Sequence, residues 1–125
     1  MQDSKKVSVL IVDDDVMLAR MVSVLLSSEG FLTATAHNGI EALSLLEQLN
    51  ADIILLDLQM PGMDGRTFYR QYRALGKAAP VIIFSAYNAA AARVELGADE
   101  FLNKPCEPFE IGACIMETLR KRASR

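Results

Sequence analysis

The sequence predicts an α/β domain built on a single doubly wound sheet of five parallel strands in the order 2-1-3-4-5, and three observations predict it. Five short apolar or β-prone stretches, at Val7–Val12, Leu32–Ala36, Ile53–Leu56, Pro80–Phe84 and Glu100–Leu102, are each followed by a segment of helical periodicity. The run Ile53–Leu56 has no polar alternation, the pattern of a strand buried on both faces. Strict strand–helix alternation implies a parallel sheet covered on both sides, with right-handed crossovers. In that order the ends of the first and third strands meet at the switch point, where open α/β sheets bind ligands.

Bulk properties suit such a fold. A chain of 125 residues fits one domain, spanning 1–125 with a core from about residue 6 to 122. A hydrophobic fraction of 51% argues against disorder, and a net charge of -3 argues against wrapping nucleic acid by charge alone. The stretch Met1–Lys6 is short and polar, without a signal-peptide core, and no apolar run reaches the roughly 20 residues of a membrane span. Cys106 and Cys114 have the spacing of neither a disulfide framework nor a metal knuckle, so a cytoplasmic location is expected. The chain has no internal repeat and no low-complexity linker.

The first strand runs straight into Asp13-Asp14-Asp15. Asp15 can cap the following helix, whose apolar positions are Leu18, Met21, Val22, Leu25 and Leu26, and Gly30 ends that helix. The cap uses one acid and leaves two to explain. After the second strand, Asn38 followed by Glu41 resembles a capping box, and Ala42, Leu45, Leu46 and Leu49 form a buried stripe. His37, the single histidine, is read as an exposed turn residue without a role.

The third strand ends abruptly in Asp57, and Pro61-Gly62 and Asp64-Gly65 mark a tight turn beyond it. Asp64 can cap a third helix with Phe68, Tyr72 and Leu75 on one side. Arg66, Arg70, Arg73 and Lys77 fall on another side and read as a solvated basic face. The fourth strand ends in Ser85-Ala86, a short helix follows from about Ala89 to Leu96, and Gly97 stops it. Lys104-Pro105 lies just past the fifth strand, and the last helix starts near Pro108 and buries Ile111, Cys114, Ile115, Thr118 and Leu119. Arg120, Lys121 and Arg122 suit its C-terminal dipole end rather than a nucleic-acid patch.

Asp13, Asp14, Asp57, Ser85 and Lys104 therefore converge on one edge of the sheet. Carboxylates so close together call for a cation, and a hard, oxygen-preferring ion such as Mg²⁺ matches them, with Mn²⁺ as an alternative. With a lysine and a hydroxyl nearby, the cluster suits phosphoryl transfer by positioning and charge neutralisation, and Asp57 is the carboxylate best placed as nucleophile.

These residues closely resemble the receiver domain of bacterial two-component response regulators, of the chemotaxis-regulator, flavodoxin-like fold. The resemblance runs from about Lys6 to Arg122. It is carried by Asp13-Asp14, by Asp57 in its Asp-x-x-Met-Pro-x-Met-Asp-Gly turn, and by Ser85-Ala86, Phe101 and Lys104-Pro105. It implies that Asp57 accepts phosphate from a sensor histidine kinase or phosphotransfer protein, autocatalytically rather than as a conventional turnover enzyme. It implies that Asp14, Asp57 and the Gln59 backbone carbonyl bind Mg²⁺, with Asp13 acting through a water, and that Lys104 pairs with Asp57 or its phosphoryl group. It further implies a cis Lys104–Pro105 peptide and a switch in which Ser85 moves toward the phosphoryl group and Phe101 turns inward. A downstream effector protein or a covalently linked output domain would read that switch, with no membrane and no direct nucleic-acid contact by this domain. A homodimer through the helix-four face is compatible with the resemblance.

The chain departs from the family pattern between Ser85 and Lys104, which are a few positions closer together than is common. The shortening falls on Tyr87–Arg93 and predicts a fourth helix nearly a turn short, or a leading loop that is nearly absent. Gln59 and Tyr87 are placed to shield a phosphoryl group and so to modulate its lifetime, and Cys106 reads as a small buried thiol. Two other functions compete. A dehalogenase-like phosphatase would need a second acid two residues after Asp57, where Gln59 stands. A phosphorylation-independent interaction module would keep the fold without needing the intact acids, Ser85 and Lys104.

Overall fold

The computed structural model describes residues 6–124, so most of the polar stretch Met1–Lys6 lies outside the described residues. Five strands and five helices alternate: β1 (Ser8–Val12), α1 (Val16–Ser28), β2 (Leu32–Ala36), α2 (Gly39–Gln48), β3 (Ile53–Leu56), α3 (Gly65–Ala74), β4 (Val81–Ser85), α4 (Ala89–Leu96), β5 (Glu100–Asn103) and α5 (Pro108–Ala123). All strand pairs are parallel and the order is β2-β1-β3-β4-β5, as the sequence predicts. At eight residues, α4 is the shortest helix.

Alternation along each strand sorts the core into two layers. Leu10, Val12, Ile54, Leu56, Val81 and Ile83 pack with α2, α3 and α4, through Ala42, Leu46, Phe68, Tyr72 and Ala92. Val9, Ile11, Ile53, Leu55, Ile82 and Phe84 pack with α1 and α5, through Ala19, Val22, Leu26, Ile111 and Ile115. Side chains at odd positions of β1 and β3, and at even positions of β4 and β5, therefore share the α1/α5 side.

Local signals fix where the helices start. Asp15, Asn38 and Asp64 each accept a backbone N–H from three residues on, at 3.1, 2.8 and 2.9 Å. The Glu41 carboxylate takes the N–H of His37, one residue before the cap, at 2.7 Å. Glu107 and Glu110 form a capping box ahead of α5, with Pro108 in its first turn. Met21 and Leu75, expected on buried faces, are 55% and 59% exposed. Ala19 and Tyr69 are buried on their helices, so each stripe is rotated relative to the pattern read from the larger residues.

The basic side of α3 is only in part the solvated face that its periodicity suggests: Arg70 and Lys77 are exposed, whereas Arg73 is drawn into the structure. Arg66 and Arg70 reach Glu95 on α4 at 3.3 and 3.4 Å. The Arg73 guanidinium lies over the Tyr69 and Tyr72 rings and donates to the carbonyl oxygens of Lys77 and Ala79. Asp99, ahead of β5, receives Arg73 at 3.4 Å, Arg122 of α5 at 2.8 Å and the Val81 N–H at 3.0 Å. Arg122 also donates to the Ala78 carbonyl. One shielded carboxylate thus ties α3, β4 and α5 together at the pole opposite the carboxyl ends of the strands. Replacing it strands two partly buried cations, so Asp99→Ala is expected to lower unfolding free energy by about 2–3 kcal/mol in urea denaturation.

Candidate functional site

Neighbouring parallel strands deliver the acids to one place. β1 and β3 are in register at Val12 and Leu56, and the Asp57 N–H donates to the Val12 carbonyl at 2.9 Å. Asp13 and Asp57 thus leave the sheet side by side, both on the α1/α5 side by alternation. Asp13, Asp14 and Asp57 each offer a carboxylate oxygen within 4.8 Å of the others. Asp13 and Asp57 are buried, whereas Asp14 is exposed.

Lys104 arrives on the same side from the end of β5, its N–H held by the Ser85 carbonyl at 3.0 Å. Its ammonium lies 2.7 Å from Asp13 Oδ2 and 3.6 Å from Asp57 Oδ1, above the Phe84 ring. The expected pairing with Asp57 is therefore shared, and Asp13 holds the shorter contact. One lysine faces two carboxylates, and Asp14 has no cation beside it among the described residues. Burial, followed by the nearby Asp13 charge, raises the Asp57 pKa to about 6, against the lowering effects of Lys104 and the Gln59 N–H. All the donors are hard oxygens carrying excess negative charge, and that set fits a small divalent cation such as Mg²⁺.

Ser85 is fully buried, and its Oγ accepts the Tyr87 N–H at 3.3 Å. Alternation sends Ser85 and Phe101 to the α4 side of the sheet, apart from the acids and Lys104. Phe101 is half-buried against the α2/α3/α4 layer. Gln59 is exposed and Tyr87 is 63% exposed, both beside the site. The turn after Asp57 is fitted to it: a Cβ on Gly65 would lie 2.3 Å from the Asp57 carbonyl oxygen, so only glycine permits this approach. The Lys104–Pro105 peptide is cis, as the resemblance implies. Cys106, expected to be a small buried thiol, is only partly buried, as is Cys114, and desolvation raises the pKa of both.

His37, read from the sequence as an idle turn residue, is half-buried with its Nδ1 3.1 Å from the Asp13 carbonyl oxygen. The only sequence signal was Glu41, whose carboxylate fixes the His37 backbone.

Fold and site together define a doubly wound α/β domain with an acidic, lysine-bridged pocket at the carboxyl ends of its strands. A family model described as the response regulator receiver domain matches residues 9–116. The chain is 37% identical over 122 residues to the DNA-binding response regulator MtrA of Mycobacterium tuberculosis (strain ATCC 25618 / H37Rv), covering 95% of this chain and 53% of MtrA. It is 36% identical over 124 residues to the transcriptional regulatory protein ResD of Bacillus subtilis (strain 168), covering 97% and 51%. The solved receiver domain of the Francisella response regulator 1452 superposes with a TM-score of 0.85 at 30% identity, covering 94% of this chain and 99% of that one. The chain belongs to the response regulator receiver domain family of two-component signal transduction. It spans about half the length of the curated relatives it matches.

The raised pKa sets a pH dependence for the metal-free protein. Folding raises Asp57 from 3.8 to about 6, so the folded state binds the extra proton between those values and loses stability as pH rises through them. Asp57→Asn removes this penalty. At pH 7.5 without Mg²⁺ it is expected to stabilise the fold by up to about 3 kcal/mol, at 1.36 kcal/mol per pKa unit. The gain should shrink as pH falls through 6 toward 4 in parallel urea titrations.

Proposed function

We propose that this domain is a phosphorylation-controlled switch whose Asp57 accepts a phosphoryl group from a sensor histidine kinase or a phosphotransfer protein. The observation that carries this reading is the acidic cluster of Asp13, Asp14 and Asp57, with Lys104 bridging Asp13 and Asp57. An Asp57 oxygen attacks the phosphorus of a phosphohistidine. The new O–P bond forms as the P–N bond breaks, and the departing imidazole nitrogen keeps the electron pair and takes a proton from solvent. Lys104 shifts its ammonium from Asp13 toward the incoming phosphoryl oxygens. Asp14, Asp57 and the Gln59 carbonyl would hold Mg²⁺, or Mn²⁺, with Asp13 acting through a water. The bound ion supplies neutralisation of the charge that carboxylates and phosphoryl oxygens bring together.

The phosphoryl group adds about -1.5 to -2 charge and three acceptor oxygens. Ser85 moves to donate its hydroxyl to one of them and releases the Tyr87 N–H. Phe101, on the same side of the sheet and only half-buried, turns into the vacated space and alters the face formed by α4, β5 and α5. An effector protein or a covalently linked output domain reads that face. The DNA-binding role of MtrA and the transcriptional role of ResD support a transcriptional output read through a linked domain, with no direct nucleic-acid contact by this domain. Gln59 and Tyr87, exposed beside the site, fold over the phosphoryl group and slow attack by water.

Incubation with acetyl phosphate and Mg²⁺, read by intact mass, is expected to give a single-phosphoryl adduct that Asp57→Asn abolishes. Steady release of phosphate from diverse esters would instead favour a phosphatase, and the absence of any adduct would favour a phosphorylation-independent interaction module. Tyr87→Ala and Gln59→Ala are expected to shorten the adduct's half-life several-fold in the same assay.

A further inference from the structure

The three carboxylates of the cluster are not held equally. Asp13 is fixed by Lys104 at 2.7 Å and by the Asp15 N–H at 2.9 Å, and Asp57 has the Lys104 ammonium 3.6 Å away. Asp14 is exposed, and among the described residues its carboxylate meets no hydrogen-bond donor and no cation. Only its backbone aims it. The peptide that sets this direction is the Asp13–Asp14 unit, and its carbonyl oxygen meets His37 Nδ1 at 3.1 Å. Among the described residues no backbone N–H reaches that carbonyl. A carbonyl oxygen can only accept, so the contact requires the proton on Nδ1.

The imidazole is itself anchored. The His37 N–H donates to the Glu41 carboxylate at 2.7 Å, and the Asp13 N–H donates to the Ala36 carbonyl at 2.9 Å. The ends of β1 and β2 are thereby joined through both peptide units that flank Asp13. We propose that His37 is a positioning residue for metal binding: its Nδ1–H fixes the Asp13–Asp14 peptide and thereby directs the Asp14 carboxylate into the acidic cluster. The role is that of an outer partner, orienting a ligand it does not replace. It rests on reading the cluster as a Mg²⁺ site.

Isothermal titration with Mg²⁺ at fixed ionic strength tests it on the 125-residue chain and three variants. His37→Phe keeps a flat ring without the donor, His37→Ala removes both, and His37→Asn returns an amide N–H one bond from Cγ, where Nδ1 stands. His37→Phe and His37→Ala are expected to weaken the Mg²⁺ Kd by about three- to tenfold, the effect of losing one neutral hydrogen bond. His37→Asn should stay within about twofold of the parent. Phosphorylation by acetyl phosphate should be slow in His37→Phe at low Mg²⁺ and recover at saturating Mg²⁺. An unchanged Kd in His37→Phe and His37→Ala, a His37→Asn as weak as His37→Ala, or a rate that saturating Mg²⁺ does not restore would each overturn the proposal. Should His37→Phe fail to fold, the Ala and Asn variants decide. A parent chain that takes up no Mg²⁺ overturns the metal site as well, whereas a binding parent with indifferent variants overturns this role alone.

Discussion

The central constraint is electrostatic. Three carboxylates leave the sheet within reach of one another, and two of them share a single lysine, whose ammonium sits nearer Asp13 than Asp57. Burial alone would drive such groups toward protonation, and the raised proton affinity of Asp57 records that pressure. The arrangement persists because β1 and β3, buried on both faces, are held in register by their ladder and by the Asp57–Val12 hydrogen bond. The packing energy of the strands thus maintains charges that the acids by themselves would disperse. A polar site under this tension gains whenever a cation or a proton arrives, and that makes it responsive.

The other pole of the molecule behaves in the opposite way. Asp99 is matched by Arg73 and Arg122 and by the Val81 N–H, so negative charge there is fully answered within the fold. Tyr69 and Tyr72 lie under the Arg73 guanidinium and add dispersion and cation–π contact. One pole is therefore electrostatically closed, and the other is left open.

Much of this was legible in the sequence. The strand order, every element and the convergence of Asp13, Asp57 and Lys104 follow from short apolar runs that end in polar residues, because two-sided burial leaves little freedom in where such strands go. The caps at Asp15, Asn38 and Asp64 were equally readable, since their chemistry is local. What escaped depends on contacts between residues distant in the chain. The α3 stripe reads as solvated on its own helix, and only the arrival of Glu95 and Asp99 makes it structural. His37 gives no periodic signal, and its contact with Asp13 bridges 24 positions. The rotated stripes of α1 and α3 have a simpler origin: pattern reading follows the largest side chains, while packing also uses a small Ala19 and an amphipathic Tyr69.

Helix α4 has a material consequence for the whole domain. It contributes chiefly the methyl groups of Ala89 and Ala92 to the interior, leaves Val94 77% exposed, and enters through Asn88 in a left-handed conformation without a side-chain cap. Each buried methyl is worth about 0.8 kcal/mol, against about 1.5–3 for a leucine. Its ties to α3 are exposed ion pairs from Glu95, a weak class of contact, and the hydrogen bond that the Tyr69 hydroxyl donates to the carbonyl of its C-cap Gly97 at 3.2 Å. Residue for residue, α4 therefore adds less packing energy to the fold than α1 or α5, which bury Val22, Leu26, Ile111 and Ile115.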